Sequence, residues 1–193
     1  MQITASDAPN LEHIDSFFRW FKDAQSLNAN LSHWDVSHVT AIYQTFQNTP
    51  NLDNDFSSWD TSSVTTFRRA FRGSGMETTS SLSNWDTSRG NDFMEMFRAG
   101  NSNSDISHWD MSNAINLEGM FKSSVFLNQP LLDNWDTSKV ENMKNMFNSA
   151  ENFNQALASW DTSRVTDIQE CFRASEFNQP LNSWDTSKVC NTS

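Results

Sequence analysis

Seven tryptophans, Trp34, Trp59, Trp85, Trp109, Trp135, Trp160 and Trp184, follow one another at spacings of 25, 26, 24, 26, 25 and 24 residues, and each is followed by Asp. A period this regular constrains the chain to a tandem array, so its properties must be read from columns of equivalent residues rather than from one constellation.

With each Trp as origin, further columns emerge by counting. Leu31, Phe56, Leu82, Ile106, Leu132, Leu157 and Leu181 stand three residues before it. Ser fills the third position after it in every copy, and the second is Thr except at Val36 and Met111. The fifth position is Val or Ala except at Gly90, the eighth is apolar, and the twelfth is always Phe: Phe46, Phe71, Phe97, Phe121, Phe147 and Phe172. Apolar steps of three and four predict a short amphipathic helix entered through Asp-Thr-Ser, whose oxygens would cap its first N–H groups. Upstream, apolar-x-x-Trp-x-Thr has leucine-rich-repeat offsets and predicts a short strand with Trp and Thr inward and Asp outward.

The fold class expected is therefore an α/β repeat: a right-handed, leucine-rich-repeat-like solenoid with one short strand and one short helix per coil of about 25 residues. A polar column six before the Trp (Asn28, Asp53, Thr79, Asn103, Asn154 and Asn178, with Asn128 one place earlier) is expected to bond the backbone of adjacent coils. If Pro9 takes the Trp place, Ile14, Phe17 and Phe21 fall on the apolar columns. Residues 1–27 then form a degenerate capping coil with a helix at about 9–25, and residues 28–193 hold six full repeats and a truncated last one. An open parallel edge invites association, so a longer array is expected.

The net charge of −11 is concentrated in one column. Without Asp35, Asp60, Asp86, Asp110, Asp136, Asp161 and Asp185, 17 acids face 13 bases. Carboxylates on adjacent strands, about 4.8 Å apart, repel by roughly 1 kcal/mol even in water. Helix capping, the following Ser and bases four after the Trp (Arg89, Lys139, Arg164, Lys188, with His38) would offset this; a column of calcium ions is the sharper alternative. Nucleic acid is not expected on such an acidic face.

Trp beside matched Leu and Phe reads as core rather than as a sugar-stacking surface. An outward Thr column could bind ice, but Asp neighbours and the interruptions at Val36 and Met111 argue against it. His33 and His108 share one position three coils apart, too distant to act together, and no phosphate loop, metal cluster or nucleophile elbow is present, so no enzyme and no cofactor are expected. Cys171 takes a core slot and Cys190 a surface one, an unpromising pair for a disulfide. No apolar run approaches a membrane span.

The strings WDTSSV, WDTSKVENMKNMF and FNQPLNSWDTSKV resemble the tandem repeat of BspA-like bacterial surface lipoproteins, numerous in Listeria and mycoplasma-like bacteria. The resemblance covers roughly residues 28–193 and implies an extracellular or cell-surface, often adhesive, leucine-rich-repeat-like module. Residues 1–20 lack the basic start and apolar core of a secretory signal, so the surface location comes from the resemblance alone. The function expected is binding of protein or glycan at a cell surface, through the positions that vary just before the Trp: His33, Ser58, Asn84, His108, Asn134, Ser159 and Ser183. A spacer without ligand and a calcium-dependent assembly element are the alternatives, with end-to-end self-association through the open last coil.

Overall fold

The computed structural model describes residues 9–25, 27, 29–52, 54–76, 82–102, 104–124 and 132–191. One parallel ladder runs through it: Ser16, Ala41, Thr66, Asp92, Asn116, Asn142, Asp167 and Asn191 each bridge to the next. Each is the seventh residue after a Trp, and Ser16 fits the same register when Pro9 holds the Trp place. Successive copies therefore lie coil on coil.

The expectation of a strand and a helix in each coil is overturned. Among the described residues there is no α-helix, the strands are reduced to single bridge residues, and the one helical element is a 3₁₀ turn at Leu132–Asn134. Hydrogen bonding accounts for the difference. In a helix each N–H would pair four residues back. Here alternate N–H groups leave the coil: Phe67, Arg69, Phe71 and Gly73 donate to the carbonyls of Asp92, Met94, Met96 and Arg98 at 2.8–3.0 Å. The N–H groups between them stay local, Ala70 donating to Phe67, Arg72 to Arg69 and Ser74 to Phe71. The segment is a run of overlapping turns with left-handed residues at its tenth and fourteenth positions, as in Arg69 (φ 57) with Gly73 (φ 64) and Asn145 (φ 56) with Ser149 (φ 58). A three-turn helix alone is marginal in water, whereas this ribbon satisfies its backbone within and between coils. The segment at 9–25 follows the same rule, with Phe17, Arg19 and Phe21 donating to Ala41, Tyr43 and Thr45.

The expected strand around the Trp is likewise two turns. Backbone N–H of each Trp closes on the apolar residue three before it, as Trp59 on Phe56 at 3.1 Å, and the fifth residue closes on the second, as Val64 on Thr61 at 2.9 Å. Side chains then tie the coils. Each indole N–H from Trp59 to Trp184 donates to the apolar residue's carbonyl in the preceding coil: Trp59 to Leu31 (2.9 Å), Trp85 to Phe56 (3.0 Å), Trp109 to Leu82 (3.1 Å), Trp135 to Ile106 (3.2 Å), Trp160 to Leu132 (2.7 Å) and Trp184 to Leu157 (3.0 Å). The buried threonines Thr61, Thr87, Thr137 and Thr162 donate to the carbonyls of Asp86, Asp110, Asp161 and Asp185 in the following coil. Val36 and Met111 fill the same buried slot without that bond.

The core lies between these turns. Phe21, Phe46, Phe71, Phe97, Phe121, Phe147 and Phe172 stack in one column, neighbouring centroids 5.4–5.9 Å apart and planes within 16°. Trp59 stacks on Trp85, Trp85 on Trp109, Trp135 on Trp160 and Trp160 on Trp184, at 6.2–6.4 Å and within 7°. Near-parallel offset rings of this kind each add about 0.5–1.5 kcal/mol beyond burial. Gly90 explains its own exception: a Cβ there would stand 2.5 Å from Phe93 and 3.0 Å from Phe67, the two successive phenylalanines of the eighth column. At the first coil Trp20 folds over Phe17 (4.7 Å) and against Trp34 (6.1 Å). At the last, Phe172, Phe177, Leu181 and Trp184 are only partly buried.

Candidate functional site

The column just before the Trp is on the surface, with His33, Ser58, Asn84, His108, Asn134, Ser159 and Ser183 all exposed. Much of its bonding is internal. Ser58 donates to the Ser32 carbonyl, Asn84 to Ser57 (3.4 Å), Ser159 to Asp133 and Ser183 to Ala158 (2.6 Å), each in the preceding coil. Among the described residues His33, His108 and Asn134 make no such staple, and His33 borders a small cleft with Glu12, Asp35 and His38.

Asp35, Asp60, Asp86, Asp110, Asp136, Asp161 and Asp185 are also exposed. Among the described residues no helix N-terminus lies beside them. Each instead accepts the N–H of the Ser two residues on, at 2.9–3.1 Å, the Asx turn that Asp makes where a chain bends. Bonds from this Ser hold the carboxyls of Asp35, Asp60, Asp136, Asp161 and Asp185 below the ordinary range, outweighing the repulsion from neighbouring Asp residues at Asp60, Asp136 and Asp161. The bases four after the Trp form no ion pair with this column among the described residues; Lys139 donates to Asn113 at 2.6 Å. Among the described residues no three His, Cys, Asp or Glu side chains are gathered as a metal ion would need.

The Trp column offers little to a sugar. Trp34, Trp59, Trp85, Trp109, Trp135 and Trp160 are buried, as are Phe46, Phe71, Phe97, Phe121 and Phe147; Trp184 and Phe172 are half-buried at the last coil. Thr61, Thr87, Thr137 and Thr162 face inward, which removes the flat outward Thr surface that ice would require. Both cysteines are free, and burial pushes the Cys171 thiol up to about 12. Of the polar column six before the Trp, Asn28, Asp53, Thr79, Asn103 and Asn128 lie outside the described residues. Asn154 accepts the Asn178 N–H of the next coil at 3.0 Å.

Sequence reading missed a charged strip on the turn ribbon. Nine of the 13 bases occupy the ninth, tenth or thirteenth position: Arg19, Lys22, Arg68, Arg69, Arg72, Arg98, Lys122, Lys144 and Arg173. The signal was available to the same counting, which followed the inward columns and those beside the Trp and left these positions unread. In the ribbon three of them come together, where Arg69 (2.5 Å), Arg72 (3.1 Å) and Arg98 converge on the buried Glu95.

Stacked coils with one continuous aromatic core and regular outward columns define a tandem-repeat protein. The chain belongs to the family described as "Mycoplasma protein of unknown function, DUF285", whose model matches it twice, over residues 2–103 and 92–193. No curated protein and no solved structure matches it. The kinship shown is with this repeat family, and a BspA-like assignment is not part of it. No helix among the described residues is long and apolar enough to cross a membrane.

Proposed function

We propose that the chain is a non-enzymatic display scaffold that binds protein or glycan at a cell surface. The observation that carries this is a division of labour: the inward columns repeat nearly unchanged, while exposed positions just before the Trp vary from coil to coil. Resemblance of the Trp-Asp-Thr-Ser repeats to BspA-like surface proteins supports the location. Within the column before the Trp, contact falls to His33, His108 and Asn134, whose side chains staple no coils among the described residues.

The test is retention of the purified chain on glycan arrays and host-cell surfaces. Replacing His33, His108 and Asn134 together by Ser, the residue three other coils carry, should reduce retention at least tenfold with an unchanged melting temperature. Equal retention by the variant would leave a spacer in place of a binder. A second reading rests on the cleft at the last coil, about 750 Å³ and lined by Ile168, Cys171, Phe172, Leu181 and Trp184. Pairing of two chains through it would appear as concentration-dependent light scattering, lost in Trp184→Lys; a concentration-independent monomer mass removes this reading.

A further inference from the structure

Glu95 occupies the tenth position of its coil in the left-handed conformation (φ 53), with its side chain 8% exposed. Arg69 Nε donates to its Oε2 at 2.5 Å, Arg72 Nη1 donates to the same oxygen at 3.1 Å, and Arg98 Nη1 donates to Oε1. One carboxylate thus faces three guanidiniums. Among the described residues no other acid lies within ion-pair distance of Arg69, Arg72 or Arg98.

The same column contains an internal control. Glu170 stands at the equivalent position three coils on and has one guanidinium, Arg173 of its own coil, at 2.8 Å. The preceding coil supplies it with Asn148, which donates at 3.1 Å. Arg98 is the counterpart of Arg173, three residues on from its Glu. Arg69 and Arg72, brought in from the preceding coil, therefore exceed what a glutamate at this position requires.

The surplus charge is held where water screens it poorly, the three arginine side chains being 23%, 29% and 32% exposed. Burial lowers the proton affinity of Arg72, and repulsion from Arg98 and Arg69 works against the attraction of Glu95. The next rung of the column is Gly119, where a Cβ would lie 3.3 Å from Glu95 Cγ, so no side chain at that rung covers the cluster. Lys122 of that coil turns toward Asn145 at 3.1 Å.

We propose that Arg69, Arg72 and Arg98, positioned by Glu95, form an oxyanion site that takes a sulfate, phosphate or carboxylate group. Planar guanidiniums present paired N–H donors matched to such oxygens, and each arginine makes only one hydrogen bond within the cluster. An added anion would compensate the excess of two positive charges. Glu95 is a positioning residue: it fixes the three forks and does not contact the ligand.

The test is calorimetric titration of the whole chain with sodium sulfate, sodium phosphate and sodium acetate, at ionic strength held constant with chloride. One saturable site is expected, tighter for sulfate and phosphate than for acetate. Arg72→Gln should weaken it at least tenfold, Arg72→Lys less, and Arg173→Gln not at all. Should Arg72→Gln not fold, the Nε–H resonances of Arg69 and Arg98 in the unaltered protein should shift with added sulfate while that of Arg173 stays fixed. Absence of saturable binding, equal affinity in Arg72→Gln, or shifts shared by Arg173 would overturn the proposal. The site does not rest on the display reading, and host-surface retention can fail while sulfate binding holds.

Discussion

Ala99 carries a positive φ of 54° at a position where the adjacent coils have Gly73 and Ser123. A left-handed alanine costs roughly 1–2 kcal/mol, and the neighbouring coils over-determine the conformation. Ala99→Gly should therefore stabilise the chain by about 0.5–1 kcal/mol, since the relief exceeds the added entropy of the unfolded chain; the midpoint of urea unfolding measures it. Thr137 offers the opposite case. Its hydroxyl donates to the carbonyl of Asp161 at 3.1 Å, and Thr137→Val keeps the shape, as Val36 does naturally, while costing about 1 kcal/mol by the same measurement. Asp136 acts through one oxygen, so Asp136→Asn, which keeps an acceptor for the Ser138 N–H but gives up the charge that this bond favours, should lower the melting temperature modestly, and Asp136→Ala should lower it further.

Between residues and coils, the turn ribbon explains which parts of the fold the sequence could disclose. The inward residues were legible: Phe67 and Phe71 point to the core, and a helix would have presented the same pair. Spacing reports which side chains are buried, not where the N–H groups go, and in this ribbon alternate ones cross to the next coil. The fourteenth position held a clue, with Asp23, Asn48 and Gly73 in successive coils, since these residue types tolerate the left-handed region. Counting also found the outward columns of the candidate site. It did not find the guanidinium cluster, because Arg69 and Arg72 meet Glu95 and Arg98 only when the ribbon aligns adjacent coils. Gly90 tests the ribbon's packing. Gly90→Val restores the column's common residue yet should destabilise by about 1–3 kcal/mol through overpacking, and adding Phe93→Leu should recover most of that loss in thermal unfolding.

Across the whole molecule the coils stand or fall through their neighbours, as in other repeat arrays. Trp109→Ala removes a buried ring, its stack on Trp85 at 6.4 Å and its bond to the Leu82 carbonyl; a cost of about 3–5 kcal/mol follows. Trp184→Ala, at a half-buried ring with one Trp neighbour, should cost less than half as much. The Asp column gives the array its acid limit. Its depressed carboxyl values mean that the stabilisation is complete above the unfolded-chain value of about 3.9 and is lost as pH falls through the lower folded values. Melting temperature should thus hold steady from neutral pH to about 5 and decline below about 4, less steeply when Asp35, Asp60, Asp136, Asp161 and Asp185 are changed to Asn.

The fold depends on backbone hydrogen bonds that join coil to coil where the periodicity suggests helix. Through-hydrogen-bond scalar couplings in the labelled protein observe such bonds directly. The nitrogens of Phe67, Arg69 and Phe71 should couple to the carbonyl carbons of Asp92, Met94 and Met96, about one repeat further on. Couplings from those nitrogens to carbonyls four residues earlier in their own coil would contradict it.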